Sequence, residues 1–205
     1  MGIGKHFFTI GQQLLLRRAF HRLDVKTVPF DTPSMIIVNH SSFYDSLVLF
    51  ELQRKGKIPW EIAALMNAQN REKIPLFKAL GTIPVSTPMK LSEYKQVKKT
   101  MQTESLLLFP QGKEEHLEQR PLTMQEGAAK LLTQNQTQGL LIIVIYYSFR
   151  SAIRAEIACS MRFISAAERP KFITNEYIEQ QLLMELESLK EDVIHQSLKG
   201  YERLW

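Results

Sequence analysis

The sequence predicts an α/β fold: a single domain with a mostly parallel central sheet flanked by helices, plus an amphipathic helix at the amino terminus. Three observations carry that expectation. The 205 residues, 44% of them hydrophobic, suit one domain with a sizeable core. Short apolar runs of strand length alternate with segments that carry helix signals, and such alternation builds parallel sheets covered on both faces. No linker, repeat or low-complexity stretch interrupts the chain, so the division expected is a helix over residues 1–24 and the domain proper over 25–205.

Ile3, Phe7, Ile10 and Leu14 recur at 4-3-4 spacing with Phe8 and Leu15 beside them, as an amphipathic helix requires. The uncharged run from His6 to Leu16 is shorter than the ~20 apolar residues that cross a bilayer. Gln12 and Gln13 interrupt it and Arg17-Arg18 follow, which does not suit a signal peptide. Met1-Gly2 lacks the Ser or Thr at position 6 that accompanies myristoylation. Lys5, Arg17, Arg18 and Arg22 collect at this end of a chain of formal charge +5. Two readings of the helix stay open: it rests peripherally on anionic lipid at the cytoplasmic side of the cell membrane, or it covers the domain's own core.

Met35-Ile36-Ile37-Val38 reads as a short buried strand, and Ser46 to Phe50 as the opening of a buried helix. Ile62 to Met66 is a second strand. Pro75 to Leu80 is a short helix, proline suiting the first helical turn. Thr82 to Ser86 is a strand, Lys90 to Gln102 an exposed basic helix, and Ser105 to Phe109 a strand that ends at Pro110-Gln111-Gly112. Thr123-Met124-Gln125-Glu126 has the form of a capping box, opening a helix to about Leu132. Two strands, 139–147 and 152–162, precede a long helix from about Asn175 to Leu198.

His40 falls just past the first of these strands, at the carboxyl end where open α/β sheets build their sites. Asp45 follows five residues later. Within one continuous helix that interval turns a side chain by roughly 140°, so the two groups meet only if His40 precedes the helix and Asp45 sits in its first turn. Ser42 is a good N-cap and permits that arrangement. Two roles follow for Asp45: it orients a histidine that acts as general base, or it closes a capping box with Ser42.

Asn39-His40, four residues and then Asp45 resembles the first motif of the glycerolipid acyltransferases, the family of lysophosphatidic acid acyltransferases. Further blocks follow in the family's order. Ile74 to Val85, with Gly81, resembles the second block and its approach helix; Leu107-Leu108-Phe109-Pro110-Gln111-Gly112 resembles the third; Pro121 to Leu131 resembles the helix after it. The strand Leu140 to Ile145 falls where the fourth block belongs, without its usual proline. The resemblance covers about residues 30–165.

It implies a glycerol-3-phosphate acyltransferase-like fold and an O-acyltransferase of phospholipid biosynthesis. The acyl group would pass from an acyl-CoA or acyl carrier protein thioester to the hydroxyl of a lipid acceptor, with no cofactor and no metal. His40 would be the base and Asp45 its orienter, as in a Ser-His-Asp triad whose serine is replaced by substrate. Gly81, Thr87, Phe109, Pro110, Gln111, Gly112 and Lys113 would bind substrate, and backbone N–H groups around Gly112 would meet the oxyanion. A lipid-binding protein without catalysis on the same fold is the alternative.

The chain departs from the family pattern at Thr87, where an arginine commonly stands, at Gln111, where a glutamate is usual, and at Lys113-Glu114, where threonine and arginine often follow. Those family residues are associated with a glycerol-phosphate acceptor, and losing a guanidinium removes a bidentate phosphate partner. Either the acceptor lacks phosphate, as a glycolipid, a sugar-bearing isoprenoid or an amino-acid lipid does, or Lys90, Lys113 or Arg120 holds a phosphate from new directions.

Other classes find less support. The single cysteine, Cys159, reads as a small buried apolar group. His116, in the polar loop Lys113-Glu114-Glu115-His116, is expected to face solvent, and the histidines are too scattered for a metal site. Tyr146 and Tyr147 end a strand whose burial needs no function, though they could border an acyl channel. No Gly-x-Ser-x-Gly elbow, P-loop or dinucleotide fingerprint occurs. The basic residues come without a nucleic-acid-binding motif or stacking platform.

Overall fold

Met35–Val38, Ser105–Leu108 and the first six residues of Leu140–Ser148 are buried without alternation, the pattern of strands covered on both faces. They form the middle of an eight-stranded sheet in a computed structural model that describes residues 3–73, 82–150 and 153–205. In chain order the elements are α1 (Ile3–Ala19), β1 (Phe20–Lys26), β2 (Met35–Val38), α2 (Tyr44–Arg54), β3 (Ile62–Asn67), α3 (Ala68–Lys73), β4 (Ile83–Val85), α4 (Leu91–Thr100), β5 (Ser105–Leu108), α5 (Glu126–Gln134), β6 (Leu140–Ser148), β7 (Ala155–Ile164), α6 (Asn175–Ile194) and β8 (Glu202–Arg203).

The spatial order is β4-β3-β5-β2-β6-β7-β1-β8. Pairing is parallel except between β6 and β7 and between β1 and β8. Side chains alternate between two layers. Ile36, Val38, Leu107, Leu141 and Ile143 face α2 (Leu47, Val48, Leu52) and Leu16 of α1. Met35, Ile37, Leu106, Leu108, Leu140 and Ile142 face α4 (Val97), α5 (Leu131, Leu132) and α6 (Ile178, Leu182, Leu186).

That layering positions the site. From β2 the chain travels toward β3 by way of α2 on one face. From β5 it travels the opposite way to β6 by way of α5 on the other face. Right-handed crossovers running in opposite directions must lie on opposite faces. The chain therefore diverges above the carboxyl ends of β2 and β5, the place where open sheets leave a crevice for ligands.

Several expectations are corrected. The first helix stops at Ala19, and Phe20–Lys26 is a strand inside the sheet. Its outward residues are polar (His21, Lys26), which hid it beside a helix-like pattern. Thr123 does not open a capping box: its N–H bonds Glu115 Oε2 at 3.1 Å, the Gln125 N–H bonds Pro110 O at 2.8 Å, and the helix begins only at Glu126. The last helix ends at Ile194, just before Gln196 adopts a left-handed φ of 54°. The second of the late strands runs antiparallel to the first and begins at Ala155, with Ala152 outside the described residues. The helix expected over 75–80 also lies outside them.

In α1 the side chains described from Thr9 onward divide unexpectedly. Leu16 is fully buried, and buried Gln12 donates from Nε2 to Leu47 O at 3.0 Å. Ile10, Leu14 and Leu15 are left exposed, at 45%, 66% and 52%.

Candidate active site

The turn between β2 and α2 is held from three sides. Asn39, buried, clamps it to β6: its Oδ1 accepts the Ile145 N–H at 2.8 Å and its Nδ2 donates to the Ile145 carbonyl at 3.0 Å. An amide side chain thus continues the β2–β6 ladder past the strand end. The His40 N–H donates to Gln111 Oε1 at 2.6 Å, and the His40 carbonyl accepts from the Glu115 N–H at 2.9 Å. These contacts fix the backbone of His40 before its ring is considered.

The ring then meets Asp45. His40 Nδ1 stands 3.0 Å from Asp45 Oδ2, which also accepts the N–H groups of Ser41 and Ser42 at 2.7 and 2.9 Å. The other oxygen, Oδ1, accepts the Tyr147 hydroxyl at 2.6 Å. The Asp45 side chain is fully buried and surrounded by donors, the setting of a carboxylate, which has no proton to give. Nδ1 therefore carries the imidazole proton and Nε2 is left as the acceptor. Among the described residues none bonds Nε2. The ring lies against Phe109, centroids 4.2 Å apart and planes at 26°, and its side chain keeps 18% exposure.

Asp45 Oδ2 makes one contact that each reading calls for. The Ser42 N–H to Asp45 contact is the reciprocal half of a capping box, while the same oxygen meets His40. The N-cap itself is Phe43, one residue later than expected, and Ser42 Oγ instead accepts the Tyr44 N–H at 3.2 Å.

The residues after β5 gather beside His40. Phe109 stacks on the ring, and Pro110 is buried with its carbonyl bonded to Gln125. Gly112 has φ 73°, and a Cβ there would come within 2.7 Å of Gln125 Cγ, so the turn requires glycine. Its N–H bonds Phe109 O at 3.0 Å and is not available to an oxyanion, which corrects the expectation for that group.

Gln111 is buried, and its amide is used inside the protein on His40 and Glu115. Lys113 is exposed and stands 3.5 Å from Glu115 Oε1. Thr87 occupies an exposed turn after β4, at the same end of the sheet, and makes no hydrogen bond to His40. Gly81 lies outside the described residues.

Two participants carried no clear sequence signal. Tyr147 stands 102 residues from Asp45 in the chain, and only the β2–β6 pairing brings them together. Burial, then the Asp45 charge, pushes its phenol well above the ordinary range, so it stays a donor. Glu115, part of the polar loop 113–116, is buried. Burial pushes its carboxyl up, but hydrogen bonds from Thr123 and Gln111 and the Lys113 charge outweigh that and hold it below its usual value.

His116 is exposed. Cys159 is fully buried, and burial, with the charges of Glu185 and Asp45, pushes its thiol far up, which disfavours a nucleophile. No group of three or more His, Cys, Asp or Glu that could hold a metal occurs among the described residues. An open cavity of about 710 Å³, lined in part by Val28, Phe30, Lys57 and Phe163, lies toward the amino end of β2, away from His40.

A family model described as Acyltransferase matches residues 19–148, a span that holds His40, Asp45, Gln111 and Tyr147. No curated protein and no solved structure matches the chain.

Tyr147→Phe should destabilise the fold by about 1–3 kcal/mol, the usual consequence of leaving a buried oxygen without its donor. Chemical denaturation measures it, and a change within about 0.5 kcal/mol, the range of surface substitutions, would contradict the role given to Tyr147.

Proposed function

The chain belongs to the Acyltransferase family, and from that premise we propose that it moves a fatty acyl group from an acyl-CoA or acyl carrier protein thioester to the hydroxyl of a lipid acceptor, with His40 as general base. The observation that carries this reading is the 3.0 Å contact of His40 Nδ1 with a buried, fully hydrogen-bonded Asp45. It leaves Nε2 as the basic nitrogen.

In the reaction, Nε2 takes the proton of the acceptor hydroxyl as its oxygen attacks the thioester carbonyl carbon. Asp45 holds the imidazolium that forms, and the two N–H groups and the phenol around Asp45 keep that carboxylate in place. As the tetrahedral intermediate collapses, the carbon–sulfur bond breaks and the imidazolium proton passes to the departing sulfur, giving a free thiol and an ester. Phe109 against one face of the ring limits its rotation and screens it from water. The oxyanion would take its donors from the β5 turn other than the Gly112 N–H, which is used on Phe109 O.

The acceptor is a lipid alcohol, and Thr87 is the departure that bears on its headgroup, because a threonine cannot hold phosphate bidentately as an arginine does. The protein would work peripherally, on the cytoplasmic face of the membrane. Exposed Ile10, Leu14 and Leu15 beside exposed Arg18 support contact with anionic lipid. No helix among the described residues is long and apolar enough to cross a bilayer.

The test is a product assay. Purified protein is given labelled acyl-CoA or acyl carrier protein with lysophosphatidic acid, neutral lipid alcohols and glycolipids, and acylated lipid is measured. His40→Ala should lower turnover at least about a hundredfold with a cooperative unfolding transition retained, its midpoint lowered by the loss of one donor to Asp45; near-normal turnover in that variant would end the proposal. For the membrane contact, Leu14→Glu/Arg18→Glu should weaken co-sedimentation with phosphatidylglycerol vesicles at least about tenfold, since burial of an exposed leucine and one cationic contact are both lost. Unchanged binding would remove α1 from the membrane.

A further inference from the structure

Gln111 and Glu115 together grip both main-chain polar groups of His40. The Gln111 side-chain oxygen Oε1 takes the His40 N–H at 2.6 Å, and the Glu115 main-chain N–H donates to the His40 carbonyl at 2.9 Å. The two side chains are joined to each other: Gln111 Nε2 donates to Glu115 Oε2 at 3.0 Å, and that same oxygen accepts the Thr123 N–H at 3.1 Å. Both residues are buried, at 2% and 6% exposure, so neither amide nor carboxylate is free to meet a lipid headgroup.

The pairing dictates the residue type. Position 111 must accept from an N–H at one end and donate to a carboxylate at the other, and an amide does both. An ionised glutamate at 111 could accept from His40 but would set two carboxylates about 3 Å apart, where both cannot stay charged. The other charged or titratable groups facing the pair are Lys113 on the same turn and His40 at the end of β2. Thr123 and Gln125, on the approach to α5, are neutral.

We propose that Gln111 and Glu115 are a coupled pair of positioning residues that set where His40 stands, and that the glutamine at 111 answers to Glu115 and not to the acceptor. This rests on the reading of His40 as the base. It also changes what the third-block departure means: a glutamine there carries no information about phosphate in the acceptor, and the headgroup is to be sought elsewhere.

Four proteins test it: the native chain, Gln111→Glu, Glu115→Gln, and the double variant Gln111→Glu/Glu115→Gln. Turnover, the KM for the acceptor and the thermal unfolding midpoint are measured at about pH 5 and about pH 8, on either side of the pKa expected for a carboxyl pair sharing one proton. Gln111→Glu should lose at least about tenfold in kcat at the higher pH, as expected when a catalytic group is misplaced by a fraction of an ångström, with acceptor KM within about twofold.

The deficit should shrink at the lower pH. There the carboxyl pair, its pKa raised in the folded state, holds a shared proton that stabilises the fold; this is lost as pH rises through that value, and the unfolding midpoint should fall with it. Glu115→Gln alone should be mild, since an amide oxygen still accepts from Gln111 and Thr123.

The double variant restores one amide facing one carboxylate and should recover at least about fivefold of the lost turnover at the higher pH. Recovery stays incomplete because a glutamine nitrogen turned toward residue 111 cannot also accept the Thr123 N–H. A double variant no better than Gln111→Glu would overturn the proposal. So would a Gln111→Glu variant with native kcat and raised acceptor KM, which would place residue 111 in the acceptor site. If the native chain transfers no acyl group, the unfolding midpoints alone decide: rescue in the double variant sustains the pair, and absence of rescue rejects it.

Discussion

A buried carboxylate sets the terms for this end of the molecule. Asp45 has no exposed side-chain surface, and removing such a group from water costs several kcal/mol unless donors replace the solvent. The donors come from separate parts of the chain: the N–H groups of Ser41 and Ser42 from the turn, the imidazole of His40 from the end of β2, and the phenol of Tyr147 from β6. The cluster is complete only when β2, α2 and β6 are assembled. The central sheet and the site are therefore built from the same contacts.

The same economy runs through the groups around it. Asn39 and Gln111 are both amides placed one to three residues beyond a central strand, and both satisfy main-chain groups that the ladder has left behind. Asn39 ties the turn to β6, on one side of β2; Gln111 ties it to the β5 turn, on the other. His40 is held by its own backbone between these anchors and by its ring against Phe109 and Asp45. Little freedom remains except at Nε2, which is the atom a base must present. The crossovers from β2 and β5 diverge on opposite faces above this turn, which keeps both helices from packing over it.

Much of this was legible in the chain. Uniform apolar runs marked β2, β5 and β6 because strands covered on both faces need no polar alternation, and the His40–Asp45 interval demanded a turn that the structure supplies. What the chain does not display is long-range or disguised. β1 carries polar residues outward and follows directly on a helix, so its pattern reads as more of the same. Tyr147 meets Asp45 only through strand pairing. Glu115 sits in a run of charged residues that looks solvated, and its burial follows from Gln111 and Thr123, which local pattern does not connect to it. Gln111 stands out against the family pattern, but its contact with Glu115 spans a turn that local pattern does not connect. Thr123 formed a plausible cap and was drawn away by that same carboxylate.

The claim on which the account turns is that Asp45 holds the imidazole with its proton on Nδ1 and its lone pair on Nε2. Nitrogen-15 NMR of the native protein, with the His40 ring assigned by comparison with His40→Ala, measures this directly. The expected signature is a proton on Nδ1 and a bare Nε2, retained in Asp45→Asn only in part or not at all. A His40 ring with its proton on Nε2 in the native protein would contradict it, since the nitrogen turned away from Asp45 would then have no lone pair with which to take a proton.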